Sequence, residues 1–193
     1  MTGSRPLTIV QVLPALNAGG VERGTVEFAR EIVKLGHRSI VISNGGGMVA
    51  QLQAEGTEHL SRPVHRKSLR SLGQVRPMRR LLRELRPDIV HVRSRMPAWI
   101  TWLSWRKLPA TSRPGLVSTF HGMYSVTPYS AIMARAERLI AISDCVHQYI
   151  LDNYAVDPAA ITRIYRGLDP AAFNRQACTE DWRRELYGQY PEL

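Results

Sequence analysis

The stretch Leu7-Thr8-Ile9-Val10-Gln11-Val12-Leu13 leads, after three more residues, into Asn17-Ala18-Gly19-Gly20-Val21-Glu22. Its first part is a short, apolar, β-prone run. From Val21 to Leu35 the apolar residues Val21, Phe28, Ile32 and Leu35 recur at helical spacing. The order is therefore strand, glycine turn, helix. Paired glycines let backbone approach a ligand with no Cβ in the way. The helix behind them presents free N–H groups and the positive end of its dipole, so the natural guest of this turn is a phosphate or another anion. The pattern is neither Gly-x-Gly-x-x-Gly nor a P-loop, since no Gly-Lys-Ser/Thr follows, and a Gly-Gly corner between strand and helix also serves as plain packing.

The same alternation runs outward along the chain. Gly36-His37 ends the first helix, and Arg38–Ser43 is a second strand. Gly45-Gly46-Gly47 turns into a short helix, Met48–Ala54, and Thr57–Leu60 reads as a further strand. Arg62–Ser71 is a basic, irregular link. Gln74–Arg86 is a helix with Pro77 near its start, where proline is tolerated, and Pro87-Asp88 stops it. Strands are predicted at Ile89–Val92, Leu116–Phe120, Arg138–Ile142 and Ile161–Tyr165. Helices are predicted at Pro97–Lys107, at Ser130–Ala136, and from Ser143, as cap, to Tyr154. Alternation of this kind specifies an α/β fold, a Rossmann-like, doubly wound and mostly parallel sheet with helices on both faces. It occupies residues 1–173. From 174 to 193 the pattern lapses into a polar stretch with one amphipathic piece, Trp182, Leu186 and Tyr187, which reads as a linker or the start of a further domain.

Composition sets outer bounds. The chain has 193 residues, 44% of them hydrophobic, as an ordinary globular core requires. Two cysteines, Cys145 and Cys178, fit neither a metal-ligand spacing nor a disulfide framework, which points to a reducing, cytoplasmic compartment. Met1–Leu16 has one arginine and an apolar stretch but no small-x-small cleavage site, so it reads as the first strand rather than a signal peptide. No apolar run approaches the ~20 residues that span a bilayer.

The net charge is +10, and residues 62–107 hold 13 Lys/Arg against Glu84 and Asp88 alone. Such a surface seeks an anionic partner. On the Gln74–Arg86 helix, Arg76, Arg79, Arg80, Arg83 and Arg86 share one face and Met78, Leu81, Leu82 and Leu85 the other. The arginine face is either simply solvated or a docking surface for anionic membrane or a lipid-linked substrate, at the inner face of a membrane. Trp99, Trp102 and Trp105 are core residues or, with Arg106-Lys107 beside them, a membrane-interface or interdomain surface. Nucleic acid is not expected, since no binding motif and no aromatic stacking platform is present.

In a doubly wound sheet, ligands sit beyond the carboxyl ends of the strands. Those ends carry Asn17, Gly19, Gly20 and Glu22; His91, Arg93 and Arg95; His121, Gly122 and Tyr124; Ser143 and Asp144; and Arg166, Gly167 and Asp169. His121 is read as a substrate contact. His91 lies within an apolar strand, where a structural role competes. Arg93 and Arg95 alternate with Ser94 and would face one side, toward an anion. Glu22 doubles as a first-turn dipole partner, and Asp169-Pro170 as a turn former.

Taken in order, these elements resemble the N-terminal domain of the family 4 glycosyltransferases, which have the GT-B architecture of two Rossmann-like domains facing across a cleft. The resemblance lies in Asn17-Ala18-Gly19-Gly20-Val21-Glu22-Arg23, Leu85-Arg86-Pro87-Asp88-Ile89-Val90-His91, Ser118-Thr119-Phe120-His121-Gly122-Met123-Tyr124, Ile140-Ala141-Ile142-Ser143-Asp144-Cys145-Val146, and the segment from Arg166 to Phe173. It implies transfer of a sugar from a nucleotide donor, often a UDP-sugar, to an acceptor with retention, usually without metal and with no further cofactor. It places Gly19-Gly20 by the donor diphosphate and the acceptor, His121 on the transferring sugar as the residue nearest the chemistry, and Ser143 and the Arg166–Asp169 turn on the interdomain cleft. Relatives with a Gly-Gly-Val-Glu loop and a basic N-domain act on lipopolysaccharide core or glycolipid acceptors. The family usually has Asn-Gly-Val-Asp where this chain has Arg166-Gly167-Leu168-Asp169. The chain also stops where the family's nucleotide-sugar domain would begin, so by itself it is expected to lack transfer activity.

Two other enzyme classes compete. A nicotinamide-dependent oxidoreductase needs Gly-x-Gly-x-x-Gly and an acid at the end of the second strand, where Ser43-Asn44 stand instead. A GT-B UDP-sugar epimerase shares the architecture and is the nearer alternative; a non-catalytic anion- or nucleic-acid-binding module, from the charge alone, is the more distant one.

Overall fold

The computed structural model describes residues 5–66, 69–167 and 179–191. Seven strands form one all-parallel sheet: β1 (Thr8–Val12), β2 (Arg38–Ser43), β3 (Glu58–Ser61), β4 (Ile89–Val92), β5 (Gly115–Phe120), β6 (Arg138–Ala141) and β7 (Ile161–Arg163). Their spatial order is β3-β2-β1-β4-β5-β6-β7. The chain winds outward from β1 in one direction, returns, and winds outward from β4 in the other. The switch in strand order therefore falls between β1 and β4, which pair in register from Ile9↔Ile89 to Val12↔Val92. A crevice for ligands opens above such a point.

Among the described residues the α-helices are α1 (Gly20–Lys34), α2 (Val49–Ala54), α3 (Val75–Leu85), α4 (Arg95–Trp105) and α5 (Asp144–Asn153), which accompany the sheet, and α6 (Glu180–Gln189) after it in the chain. Side chains alternate between the two faces with the period of a strand. On one face Val10, Val12, Ile42, Val90, Val92, Leu116, Phe120 and Leu139 join Met78, Leu82, Ile100 and Ile150 in a continuous buried cluster. On the other, Leu13 and Val41 meet Val26 and Ala29 of α1 and Leu52 of α2. Each fully buried Val, Leu or Ile contributes about 1.5–3 kcal/mol relative to exposure, so packing of its apolar stripe is what holds α1 in place.

The predicted elements appear within one or two residues, with three instructive differences. α4 begins at Arg95 rather than Pro97, because Ser94 adopts extended backbone and Pro97 falls inside the first turn, where its missing N–H costs nothing. Residues Ser130–Arg135 form a 3₁₀ turn rather than an α-helix. The amphipathic piece near Trp182 becomes α6, capped by Thr179, and it buries no residue among those described.

The tryptophans of α4 are half-buried and committed. Trp99 Nε1 donates to the Tyr129 carbonyl at 3.0 Å and Trp105 Nε1 to the Pro114 carbonyl at 2.8 Å. The guanidinium groups of Arg106 and Arg135 lie 4.7 and 4.9 Å from the Trp102 ring centre. They brace α4 against its neighbours instead of forming an open interface. No described helix is long and apolar enough to cross a membrane.

Candidate active site

The loop after β1 is held by backbone. Leu16 N–H donates to the Gly45 carbonyl at 2.7 Å, and Met48 N–H returns to the Leu16 carbonyl at 2.9 Å. Gly46 makes this contact possible: its φ is +142°, and a Cβ there would overlap the Leu16 carbonyl group and lie 2.8 Å from Asn17 N. Asn17 and Gly19 then line a small depression with Arg23, Gly47 and Met48. Glu22 folds back so that its carboxylate lies against Gly19. The acid of the first turn thus sits at the positive end of its own helix, the dipole role anticipated for it.

The opposite side of α1 faces a larger groove of about 740 Å³, running along the helix over the face of β4, β5 and β6 that α1 and α2 leave uncovered. Its upper end gathers Gly24, His91, Arg93, Thr119, His121, Arg166 and Gly167. Strand alternation explains the set: His91 and Arg93 of the β4 end, and Thr119 and His121 of the β5 end, all point to the α1 side.

The upper end of this groove is cationic and partly dry. Arg93 is 7% exposed, and its Nη1 donates to Gln11 Oε1 at 3.1 Å. Burial, then the nearby Arg166 charge, pull its pKa down to about 10. His91 Nε2 and Thr119 Oγ1 lie 2.7 Å apart, and the Phe28 ring meets the His91 ring edge-on. Burial, followed by Arg93 and His121, holds the His91 pKa well below its usual value, so the ring is neutral. His121 has no hydrogen-bond partner on either ring nitrogen among the described residues. Its pKa is pushed down to about 3, by burial first and by Arg93 and Arg166 after it. It is therefore a neutral imidazole at any physiological pH, able to donate one hydrogen bond and accept another.

The backbone of His121 is fixed separately. Its N–H donates to the Tyr124 hydroxyl at 3.2 Å, and the Tyr149 hydroxyl donates to the Tyr124 carbonyl. The Arg95 guanidinium lies 5.1 Å from the Tyr124 ring centre and 5.4 Å from that of Tyr129, and it donates to Ser130 Oγ at 3.2 Å. Arg95 thus does not share a side with Arg93. The helix starting at Arg95 ends the strand alternation on which that expectation rested, and Arg95 braces the turn that carries His121.

The other rim residues divide in the same way. Ser143 caps α5, accepting from Val146 N–H at 3.2 Å. Asp144 pairs with Arg163 and accepts from the Tyr165 hydroxyl at 2.8 Å, strapping down the segment after β7. That segment delivers Arg166, which donates to the Gly20 carbonyl. A Cβ on Gly122 would meet no atom within 4 Å. Asp169 lies outside the described residues. Gly24 and Gln11 are site residues that the strand-end inventory missed. A glycine inside a helix and a glutamine inside an apolar strand are both anomalies that could have flagged them. Among the described residues no group of three His, Cys, Asp or Glu side chains converges as a metal site would need.

Comparison with known proteins follows this geometry. A glycosyltransferase from Rickettsia africae superposes with a TM-score of 0.78 and 32% identity over 97% of this chain and 50% of that one. HepE from Anabaena, solved with UDP and glucose, gives 0.71 and 16%, covering 95% of this chain and 50% of its own. WaaG, a glycosyltransferase involved in lipopolysaccharide biosynthesis, gives 0.66 and 15%, covering 95% and 51%. The chain therefore spans about half the length of these structures. Curated proteins offer no match. The sequence description Glycosyltransferase Family 4 matches residues 18–172, from the loop before α1 to the segment beyond β7, so the match takes in β4, β5 and β6, the strands under the groove. The chain belongs to glycosyltransferase family 4.

Proposed function

We propose that this chain is the acceptor-side half of a retaining glycosyltransferase that moves a sugar from a nucleotide-sugar donor, a UDP-sugar, to a glycan or lipid-linked acceptor such as lipopolysaccharide core. One observation carries this reading: a neutral His121, without a ring partner among the described residues, borders the same groove as Arg93 and Arg166, beyond the carboxyl ends of the strands. In this proposal His121 orients a hydroxyl of the transferring sugar and is not a nucleophile, since a ring held neutral among cations is a hydrogen-bonding group. A second α/β domain, beginning within residues 174–193, supplies the donor pocket, and closure of the two halves excludes water. The family match favours transfer over epimerisation. HepE, solved with UDP and glucose, and WaaG, involved in lipopolysaccharide biosynthesis, suggest the donor and acceptor classes.

The expected result is that the 193-residue chain binds a lipopolysaccharide-core oligosaccharide in saturation-transfer NMR yet turns over no UDP-sugar alone. Turnover by the chain alone would contradict this division of labour, and absence of acceptor binding would contradict the acceptor-side role.

The same proposal places the protein in the cytoplasm, at the inner face of a membrane. Arg76, Arg80 and Arg83 are exposed on α3 and Arg79 is half-buried. Arg80 pairs with Glu84 at 2.8 Å, while no carboxylate pairs with Arg76, Arg79 or Arg83 among the described residues. Each basic residue near an anionic surface contributes about 1 kcal/mol. Replacing Arg76, Arg79, Arg80 and Arg83 together by serine should lower co-sedimentation with phosphatidylserine-containing vesicles by roughly tenfold or more, leaving the faint binding to neutral vesicles unchanged. Equal sedimentation of variant and parent would remove the membrane from this proposal.

A further inference from the structure

Two guanidinium groups meet over a bare patch of helix. Arg166 arrives from the segment after β7 and Arg93 from the end of β4. A Cβ on Gly24 would lie 2.8 Å from Arg166 Nη2 and 3.5 Å from Arg93 Nη2. A side chain at this position would push the Arg166 guanidinium aside. Gln11, fully buried, is fixed because its Nε2 donates to the Thr25 carbonyl at 3.2 Å, which leaves its Oε1 to hold Arg93 by one nitrogen. The buried Nε of Arg93 has no partner among the described residues. Neither arginine forms an ion pair with a carboxylate there.

Two like charges held together without a counter-ion, one of them almost wholly buried, are costly unless an anion completes the site. His121, with both ring nitrogens unpartnered, borders the same space. The acids along the groove do not fill the role. Glu31 is engaged by Lys34 at 2.8 Å and by Arg30 at 3.4 Å, and Glu27 makes no ion pair with either arginine among the described residues. Glu22 lies on the Gly19 side of α1, so the helix end itself already faces a carboxylate. An incoming anion is thereby directed away from the glycine backbone and toward the arginines.

We propose that Arg93, Arg166 and His121 form a side-chain oxyanion site for a phosphate group on the groove side of α1, beside the Gly20 carbonyl that Arg166 also holds. Forked guanidinium donors suit a tetrahedral oxyanion with two charges, and the neutral imidazole adds one N–H. The phosphate could be carried by the donor as a diphosphate or by the acceptor as a monoester, and only this assignment of the carrier rests on the glycosyltransferase reading.

The test is direct binding, which needs no transfer activity. The 193-residue chain is titrated with inorganic phosphate, UDP and glucose 1-phosphate by calorimetry and by NMR of the His121 ring. Saturable binding of phosphate is expected, weakened by about tenfold or more in R166Q and in R93M, because a hydrogen bond to a charged group is lost. R93M removes a buried, uncompensated charge but leaves Gln11 Oε1 without its donor, so its fold is checked by thermal melting. UDP binding more tightly than glucose 1-phosphate assigns the site to the donor, and the reverse order assigns it to the acceptor. No saturable binding of any of the three, or binding unchanged in both arginine variants, overturns the proposal. R166Q alters an exposed side chain, so the test stands even if R93M fails to fold. If binding fails while replacement of His121 still abolishes transfer in a two-domain enzyme, the functional reading stands and this site falls.

Discussion

Gly46→Ala is expected to lower the melting temperature by about 10 °C, the equivalent of roughly 3 kcal/mol for a chain of this length. Two effects add at this residue. Its φ of +142° is one that side-chain-bearing residues rarely adopt, and the new Cβ would overlap backbone of Leu16 rather than a movable side chain. Neither the Leu16 carbonyl nor Asn17 N can step aside without breaking the hydrogen bonds that link this turn to Gly45 and Met48. Relief would have to come from displacing the 17–20 loop, so the variant should also lose any ligand binding that depends on it. Gly47→Ala is the control: no atom lies within 4 Å of its Cβ position, and it should stay within about 0.5 kcal/mol of the parent. A melting temperature for Gly46→Ala matching that of Gly47→Ala would show that the two loops are not coupled as described.

That pair of loops also marks how far the sequence could be read. The strand, Gly-Gly and helix order around Gly19 was legible because glycine punctuation and the change from period 2 to period 3.6 are local signals. The Gly45–Gly47 turn was legible as a turn, but not as the brace of the first loop, since that contact joins residues about thirty apart. The rim was legible as a set of strand ends, and β3 emerged as a true parallel partner of β2, from Ile40↔Glu58 to Ser43↔Ser61. Which rim side chains converge was not legible. Ser143 and Asp144 turn to capping and strapping, Arg95 to bracing Tyr124, and Glu22 to its own helix end, because each finds a nearer partner inside the fold. What remains for a ligand is the group whose partners are missing. Burial and an unsatisfied nitrogen on Arg93 and His121 are properties of the packed chain, and periodicity carries no trace of them.

His121→Ala should lower kcat by roughly 10²–10³ in a two-domain enzyme, as loss of one positioned donor at a reacting centre does. Its effect on stability should be of opposite sign at low pH. The folded state holds the ring neutral with a pKa near 3, against 6.5 when unfolded. Above about pH 6.5 neither state binds the proton and the group is silent in the pH dependence. As pH falls below that value the unfolded chain takes up the proton and the folded chain does not, so stability is lost progressively until the folded pKa is reached. By about pH 4 this amounts to roughly 3 kcal/mol, at about 1.4 kcal/mol per unit. The alanine variant lacks this contribution, so its stability should fall less steeply between about pH 6 and pH 4, even if the small cavity left behind costs something at neutral pH. His91, buried and neutral for the same reason, keeps a steep slope in both proteins, so the informative quantity is the difference between them. Denaturant melts of parent and variant across this range measure it. Parallel pH curves, or equal losses of activity and stability at neutral pH, would make His121 a packing residue rather than one held dry and neutral for a substrate.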